Sequence, residues 1–489
     1  MYALTQEQQD IVQCQSPELV VKAFSGTGKT STLKAYAAAR PTQRLLYLAF
    51  NRAIRDEAQG TFPNNVTCLT SHQLAYRAGG HHYRKKLQNQ LTLPVIADWL
   101  NTHDWEFASK AREALNLFLH SGDEQLNVER FKSISRKKSE RKVLLDACQS
   151  LWLSMQSFDA GSLPMTHDGY LKLYQLSQPN LSSYDGILFD EVQDVNPVTR
   201  QIVLTQSMPW VMVGDPHQQI YRFRGAQNAM LADGIKDKPV LTLTQSFRFG
   251  PNVAELANDI LSIKGETAIL KGHATQDTVE VWKKQTLTGH YAVLHRTVAG
   301  VIATALNHDA CYWIGGVEGY RLSDIEDIYW LSRNKKEYVK NKRNIAPYKD
   351  YGDYCRIAKE SEDAEMQQTI KIIDKHEHLP TDLKQLREKA VTNETKATVT
   401  VSTAHRSKGL EWDTVVLHDD FPNLLDDNKV RLPDDYIDEL NLMYVAATRA
   451  MKSLYINANL LALTVDSADK DKLKQRLADC HPDFTNTTH

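Results

Sequence analysis

A run of apolar and β-branched residues, Leu19–Phe24, leads directly into Ser25-Gly26-Thr27-Gly28-Lys29-Thr30 and then into a helix-forming stretch, STLKAYAAAR. This feature constrains the fold most. A glycine-rich turn between a buried strand and a helix start lets backbone N–H groups turn inward onto phosphate oxygens, and the helix end adds positive potential. Lys29 would reach the terminal phosphates and the Thr30 hydroxyl would ligate Mg²⁺. Ser25, Gly26, Thr27, Gly28 and Ser31 would complete the cradle. Ala23 stands where the strict pattern has its first glycine.

Similar short runs recur at Arg44–Phe50, Val66–Leu69, Ile187–Phe189, Trp210–Val213, Val240–Leu243, Tyr291–Leu294, Val399–Thr403, Thr414–Leu417 and Ser453–Ile456. Each has the length of a strand buried on both faces, and helical patterns separate many of them, which predicts parallel α/β sheets. Residues 79–165 and about 302–392 break the rhythm, being charged and poor in such runs, and read as helical insertions. One strand, Ile187–Phe189, ends in Asp190-Glu191. Asp190 would hold Mg²⁺ through water, and Glu191 would orient and deprotonate an attacking water.

At 489 residues the chain should hold about three or four domains. No apolar run approaches the ~18–20 residues of a membrane span, and MYALTQEQQD lacks the features of a secretory signal, so a membrane role is not expected and an intracellular location is. The six cysteines lie far apart with no CxxC pair, which argues against zinc ribbons, iron–sulfur clusters and disulfide scaffolds. Lys plus Arg (58) nearly balances Asp plus Glu (60), so any anion-binding surface is local. Residues 131–142 and 333–343 each carry six basic side chains against one acidic, and residues 419–439 carry eight acidic against two basic. Such runs read first as solvated faces.

Val213–Ala226 (VGDPHQQIYRFRGA) resembles the third motif of superfamily 1 DNA helicases of the UvrD/Rep/PcrA type. So do Gln8 in LTQEQ, Leu243–Arg248 (LTQSFR), Ser402–Trp412 (STAHRSKGLEW) and Leu442–Ala450 (LMYVAATRA), all in family order. YLAFNRAI at 47–54, MTHDGYLKLYQLS at 165–177, VLHRTVAGV at 293–301 and IEDIYWL at 325–331 are most similar to the F-box DNA helicase branch. No F-box precedes the first motif, so the resemblance is to the helicase core alone.

The resemblance implies two RecA-like P-loop domains, residues 1–78 plus 166–240 and residues 241–301 plus 393–489, each interrupted by a mainly helical insertion at 79–165 and 302–392. ATP and Mg²⁺ are the implied cofactors. Gln8 would read the adenine edge, Phe247 would stack on it where relatives often have Tyr, and Glu411 would bond the ribose. Gln218 would sense the γ-phosphate, and Arg248 and Arg449 would stabilise charge on the transferred phosphoryl group. Phe50, Tyr221 and Phe223 would stack on bases, a sequence-tolerant grip. Asn51, His72, Arg296 and His405 fall in motifs that touch single-stranded DNA in the family. In that context the two basic stretches gain interest as duplex or backbone contacts. The implied activity is 3′-to-5′ translocation on single-stranded and forked DNA, in repair or recombination. Two alternatives remain open: a motor that strips recombinase from single strands, and a nucleotide-gated DNA sensor that regulates a partner nuclease.

Overall fold

A computed structural model of the chain describes residues 3–222, 228–232, 234–235, 237–273, 276–361, 363–426 and 433–480. Six strands build the first sheet: β1 (Glu18–Ala23), β2 (Leu45–Ala49), β3 (Val66–Thr70), β4 (Gly186–Phe189), β5 (Trp210–Gly214) and β6 (Val240–Leu243). Their order is β3-β2-β4-β5-β1-β6, with every pair parallel. All residues of β2, β4 and β5 are buried, as a parallel sheet covered on both faces requires. Since β4, β5 and β1 are neighbours, their carboxyl ends bring Asp190, Asp215 and the phosphate loop to one edge, where open parallel sheets bind ligands.

The second sheet contains β7 (Thr278–Val281), β8 (Tyr291–His295), β9 (Cys311–Trp313), β10 (Ala390–Val391), β11 (Val399–Thr403), β12 (Trp412–Leu417) and β13 (Ala450–Ile456). It runs β10-β9-β11-β8-β12-β13-β7 and is also parallel throughout. The ten runs expected to be strands all lie in these two sheets. Three further strands carry weaker signals: β9 has three residues, β10 has two, and β7 is a half-exposed edge with alternating burial. Both β9 and β10 arise within 302–392, so that stretch contributes to the second sheet as well as to helices. Likewise β6 pairs with β1 in the first sheet, so the expected change of domain at 240/241 falls inside a strand.

Successive strand residues face opposite sides, and each sheet therefore feeds two cores. Val20, Leu46 and Leu48 pack with Phe118, Leu144 and Trp152 from the first inserted region, whereas Leu19, Val21 and Tyr47 pack with Ile11, Leu33 and Ala37. In the second sheet Leu294 and Val415 pack with Ile260 and Leu440, while Val293 and Val401 pack with Trp313, Ile328 and Ile372. The inserted helices thus share the sheets' cores. Helix Trp105–Leu119 shows why: Asp104 caps it by accepting from Phe107 N at 2.9 Å, and Ala108, Ala111, Leu115, Phe118 and Leu119 line one buried face.

Among the described residues Trp313 is the largest fully buried side chain. Trp313→Ala should therefore lower stability by about 3–5 kcal/mol. Leu153→Ala, at a side chain 58% exposed, should change it by no more than ~0.5 kcal/mol. Urea unfolding followed by circular dichroism of both variants checks the contrast.

Candidate nucleotide and nucleic-acid sites

The phosphate loop leaves β1 at Phe24 and turns through two left-handed glycines, Gly26 (φ +74°) and Gly28 (φ +78°). Each is required for a second reason. A Cβ on Gly26 would come within 2.4 Å of Ser246 Oγ and 2.8 Å of Arg248 Cβ. One on Gly28 would come within 3.0 Å of Gln8 Nε2 and 3.7 Å of the Phe247 ring. The segment after β6 therefore lies against the loop, held by a bond from Phe247 N to Gly26 O of 2.8 Å. Glu7 secures the same segment, accepting from Thr244 N and Thr244 Oγ1 at 2.8 and 2.6 Å. Gln8 is buried, and its Oε1 accepts from Thr5 N in a capping box. Its amide nitrogen faces Gly28, beside the 43%-exposed Phe247 ring. Thr27 Oγ1 donates to Phe24 O at 2.7 Å, while Lys29, Thr30 and Ser31 open helix Lys29–Ala38.

The acidic pair faces this loop. Lys29 Nζ lies 2.7 Å from Glu191 Oε1, and Lys408 Nζ lies 3.4 Å from Glu191 Oε2. Against burial, which alone would raise it, these two lysines hold the Glu191 carboxyl well below the usual range. Asp190 is buried, accepts from Tyr47 Oη at 2.7 Å, and is pushed upward by burial and by Glu191's charge. Gln218 Nε2 donates to Asp215 Oδ2 at 2.7 Å, and Tyr444 Oη donates to the same oxygen at 3.0 Å. Tyr444 Oη in turn accepts from Ser25 N at 3.0 Å.

Two arginines converge on the loop. Ser25 Oγ accepts from Arg248 Nη1 at 3.0 Å and from Arg449 Nη2 at 3.1 Å. Arg449 reaches it from the start of β13's approach in the second sheet, fully buried, with its pKa lowered to about 9 by burial and by Arg248 beside it. Arg248 Nε also pairs with Glu411 Oε2 at 2.6 Å, so the carboxylate expected at the ribose neutralises an arginine here.

A cavity of about 1920 Å³ opens beside this seam, and Phe50, His72, Tyr221, Arg222 and Arg406 are among its walls. Phe50 and Tyr221 stack with ring centroids 5.6 Å apart, and Tyr221 Oη donates to His405 O at 3.0 Å. His72 Nε2 pairs with Asp168 Oδ1 at 3.3 Å. The other expected DNA contacts are otherwise engaged. Asn51 caps helix Arg52–Gln59, accepting from Ile54 N, and Arg296 makes a bidentate pair with Glu439 at 2.7–2.9 Å. Phe223 lies outside the described residues. Of the two basic stretches, Lys132, Arg136, Lys137 and Lys138 are exposed in one and Arg333, Lys335, Lys336 and Lys340 in the other. Arg141 in the first is buried and donates to Ser135 O and Arg136 O.

Lys408, Asp215 and Tyr444 join the site as well, and all three lie in the motifs quoted above without standing out as site residues in sequence. Asp215 carries the same signal as Asp190, a carboxylate at the end of an apolar strand. Lys408 and Tyr444 carry none, because their partners come from the other half of the chain.

A family profile described as UvrD-like helicase C-terminal domain matches residues 86–460. The chain is 33% identical to F-box DNA helicase 1 of Gallus gallus over 510 residues, covering 94% of this chain and 49% of that protein. It is 33% identical to F-box DNA helicase protein 1 of Schizosaccharomyces pombe over 518 residues, 94% and 58% of the two chains. ATP-dependent DNA helicase srs2 of the same yeast is 27% identical over 160 residues, 31% of this chain and 17% of that one. The chain thus spans about half the length of the two F-box relatives.

The contacts at Gly26 carry a direct consequence. Gly26→Ala should weaken nucleotide binding about tenfold to a hundredfold, from ~1–3 kcal/mol of backbone strain plus the clash with Arg248. Titration with a fluorescent ATP analogue measures the loss, and an unchanged far-UV spectrum separates it from unfolding.

Proposed function

The chain belongs to the UvrD-like helicase family, and from that premise we propose that it is an ATP-driven motor that moves 3′ to 5′ on single-stranded DNA and separates duplex at forks. The observation that carries this reading is the meeting of Arg248 and Arg449 on Ser25 of the phosphate loop, with Arg449 supplied by the second sheet. A nucleotide bridging the two sheets would be sensed by both, which gives a ligand-biased two-state element.

The two sheets with their inserted helices correspond, in this reading, to two RecA-like domains with insertions. ATP would lie over Gly28, its base beside Gln8 and Phe247. Incoming phosphate oxygens compete with Glu191 for Lys29, and Glu191, once released from that pair, is placed to accept a proton from water. Arg248 and Arg449 turn from Ser25 Oγ towards the phosphoryl group as its charge develops. Gln218, held on Asp215, relays the arrangement to the segment that carries Tyr221. Magnesium fits the donors present: the Thr30 hydroxyl and the buried Asp190 carboxylate are hard oxygens. When bound, it would neutralise charge on the phosphates.

The Phe50–Tyr221 stack beside the cavity suits a grip on bases, and the nearby arginines suit a phosphate backbone. A motor that strips recombinase from single strands is a second reading, argued from resemblance to the F-box branch, and ATP-dependent release of recombinase from coated single strands tests it. Among the described residues no helix is long and apolar enough to cross a membrane.

Lys29→Ala and Glu191→Gln should each abolish DNA-stimulated ATP hydrolysis, and Glu191→Gln should still bind ATP because the amide keeps the shape. Near-normal turnover in either folded variant overturns the assignment. Strand separation should need a 3′ tail, so efficient unwinding of 5′-tailed duplex alone would reverse the polarity. Tyr221→Ala should keep ATP hydrolysis but unwind less per ATP, through the loss of ~1–3 kcal/mol of stacking per base. Normal coupling in that variant would make the ring a packing residue.

A further inference from the structure

In the second sheet His295 closes β8, and His418 follows the last residue of the neighbouring β12. Strands β8 and β12 pair in register at Leu294 and Leu417, so the residues at and after their carboxyl ends, His295 and His418, emerge side by side. Their ring centroids are 4.4 Å apart. Asp420 closes the group from the turn that follows β12. Its Oδ1 lies 3.9 Å from His295 Nδ1 and 3.3 Å from His418 Nδ1. One ligand atom from each residue falls within 4.8 Å of the others.

His295 is fully buried, yet neither ring nitrogen has a hydrogen-bond partner among the described residues. A buried polar group left in that way needs a reason. The backbone leaves room for one. Gly300, in helix Val298–Leu306, faces the cluster, and a Cβ there would come within 2.7 Å of His295 Nδ1 and 2.4 Å of Asp420 Oδ2. Only a glycine keeps that floor open. The carboxylate is already oriented, as metal-ligating carboxylates are. Oδ1 accepts from Arg296 N at 3.0 Å, and Oδ2 accepts from Thr297 N and Thr297 Oγ1 at 2.9 Å each. Oδ1 therefore keeps a lone pair facing the two imidazoles.

We propose that His295, His418 and Asp420 form a site for a divalent transition-metal ion, zinc foremost. Two imidazoles and one carboxylate are a donor set suited to zinc, with bonds of about 2.0–2.2 Å. Ligand separations of 3.3 and 3.9 Å lie near the edge of a tetrahedron with such bonds. His418 is partly exposed, which gives the ion an entry path and leaves the fourth position to water. The ion would tie the ends of β8 and β12 to the turn Arg296–Thr297 that starts helix Val298–Leu306. It would thereby hold in place the backbone that presents Arg296 to Glu439. Calcium or magnesium is a poorer fit, since those ions take oxygen ligands.

The test uses the full chain after dialysis against a chelator. Competition with a chromophoric chelator should show one tight zinc equivalent. Cobalt(II) should give the visible absorption of a four-coordinate nitrogen and oxygen site, and zinc should raise the melting temperature. His418→Ala, at a partly exposed ring, should retain the fold while losing the cobalt spectrum, the thermal shift and at least about tenfold in affinity. Asp420→Asn serves as a second variant and should lose the same signals. His81→Ala, at an exposed histidine elsewhere, should lose none. The proposal is overturned if the wild-type chain takes up no tight equivalent, or if His418→Ala and Asp420→Asn, both folded by circular dichroism, bind it as the wild type does. These readouts involve neither ATP nor DNA, so the outcome is independent of the motor reading.

Discussion

Ser25 Oγ is the point on which the rest of the molecule turns. A single hydroxyl in the phosphate loop accepts from two guanidinium groups, one in the segment after β6 and one immediately before β13 of the second sheet. Two cations side by side in a buried place repel each other, and the lowered pKa of Arg449 reflects both its burial and Arg248's charge. Such a pair is favourable only with anionic charge near it. Glu411 supplies part of that charge through Arg248. A bound triphosphate would supply far more, so the electrostatics that strain the seam would favour nucleotide there.

A second buried network stiffens the seam. Lys22 of β1 pairs with Glu266, which also pairs with His217 Nε2 at 2.7 Å. Lys264 donates to His217 Nδ1 at 2.7 Å and to Asn441. Because Nδ1 accepts from the lysine, the His217 proton sits on Nε2 and points at Glu266. Burial and the adjacent Lys264 push the His217 pKa down to about 4, so the ring stays neutral near pH 7. Burial brings Lys264 down to about 7. Removing one member of such a network leaves an uncompensated buried charge, at a cost of roughly 3–5 kcal/mol. The two halves are therefore held by directional polar contacts. These fix orientation more sharply than an apolar interface would.

The phosphate loop, the acidic pair and most of the strands were legible in the sequence because their signals are local. A strand buried on both faces is a continuous apolar run, and Gly26, Gly28 and Lys29 sit at fixed offsets from one. What was not legible depends on contacts between residues far apart in the chain. Nothing near Glu411 announces that Arg248 would take its carboxylate, nor that Glu439 would take Arg296. Strands β9 and β10 are too short to carry a pattern, and the half-exposed edge strand β7 mixes polar with apolar residues. Tyr444 looks like one more core position of a helix, and only the fold brings its hydroxyl between Ser25 N and Asp215.

Lys408 shows how far the chemistry and the aromatic stack are from being separate. Its ammonium lies 3.4 Å from Glu191 Oε2, pairs with Asp194, donates to Gln218 O at 2.7 Å, and sits 5.9 Å from the centroid of the Tyr221 ring. Against the effect of burial, Asp194 and Glu191 keep it charged. Any event that alters the charge balance at Glu191, such as the loss of Lys29 to a phosphate, changes the field on Lys408 directly. Three residues before it, the carbonyl of His405 holds the Tyr221 hydroxyl. Glu191 and the Tyr221 ring are thus linked through Lys408 twice, by its side chain and by the backbone that runs from it to His405. If the chain is the motor proposed above, thermodynamic linkage sets a condition: whatever factor nucleotide binding applied to DNA affinity through this lysine, DNA binding would have to apply to nucleotide affinity. A grip that loosens with one nucleotide state and tightens with another therefore needs no longer pathway than Glu191, Lys408 and Tyr221.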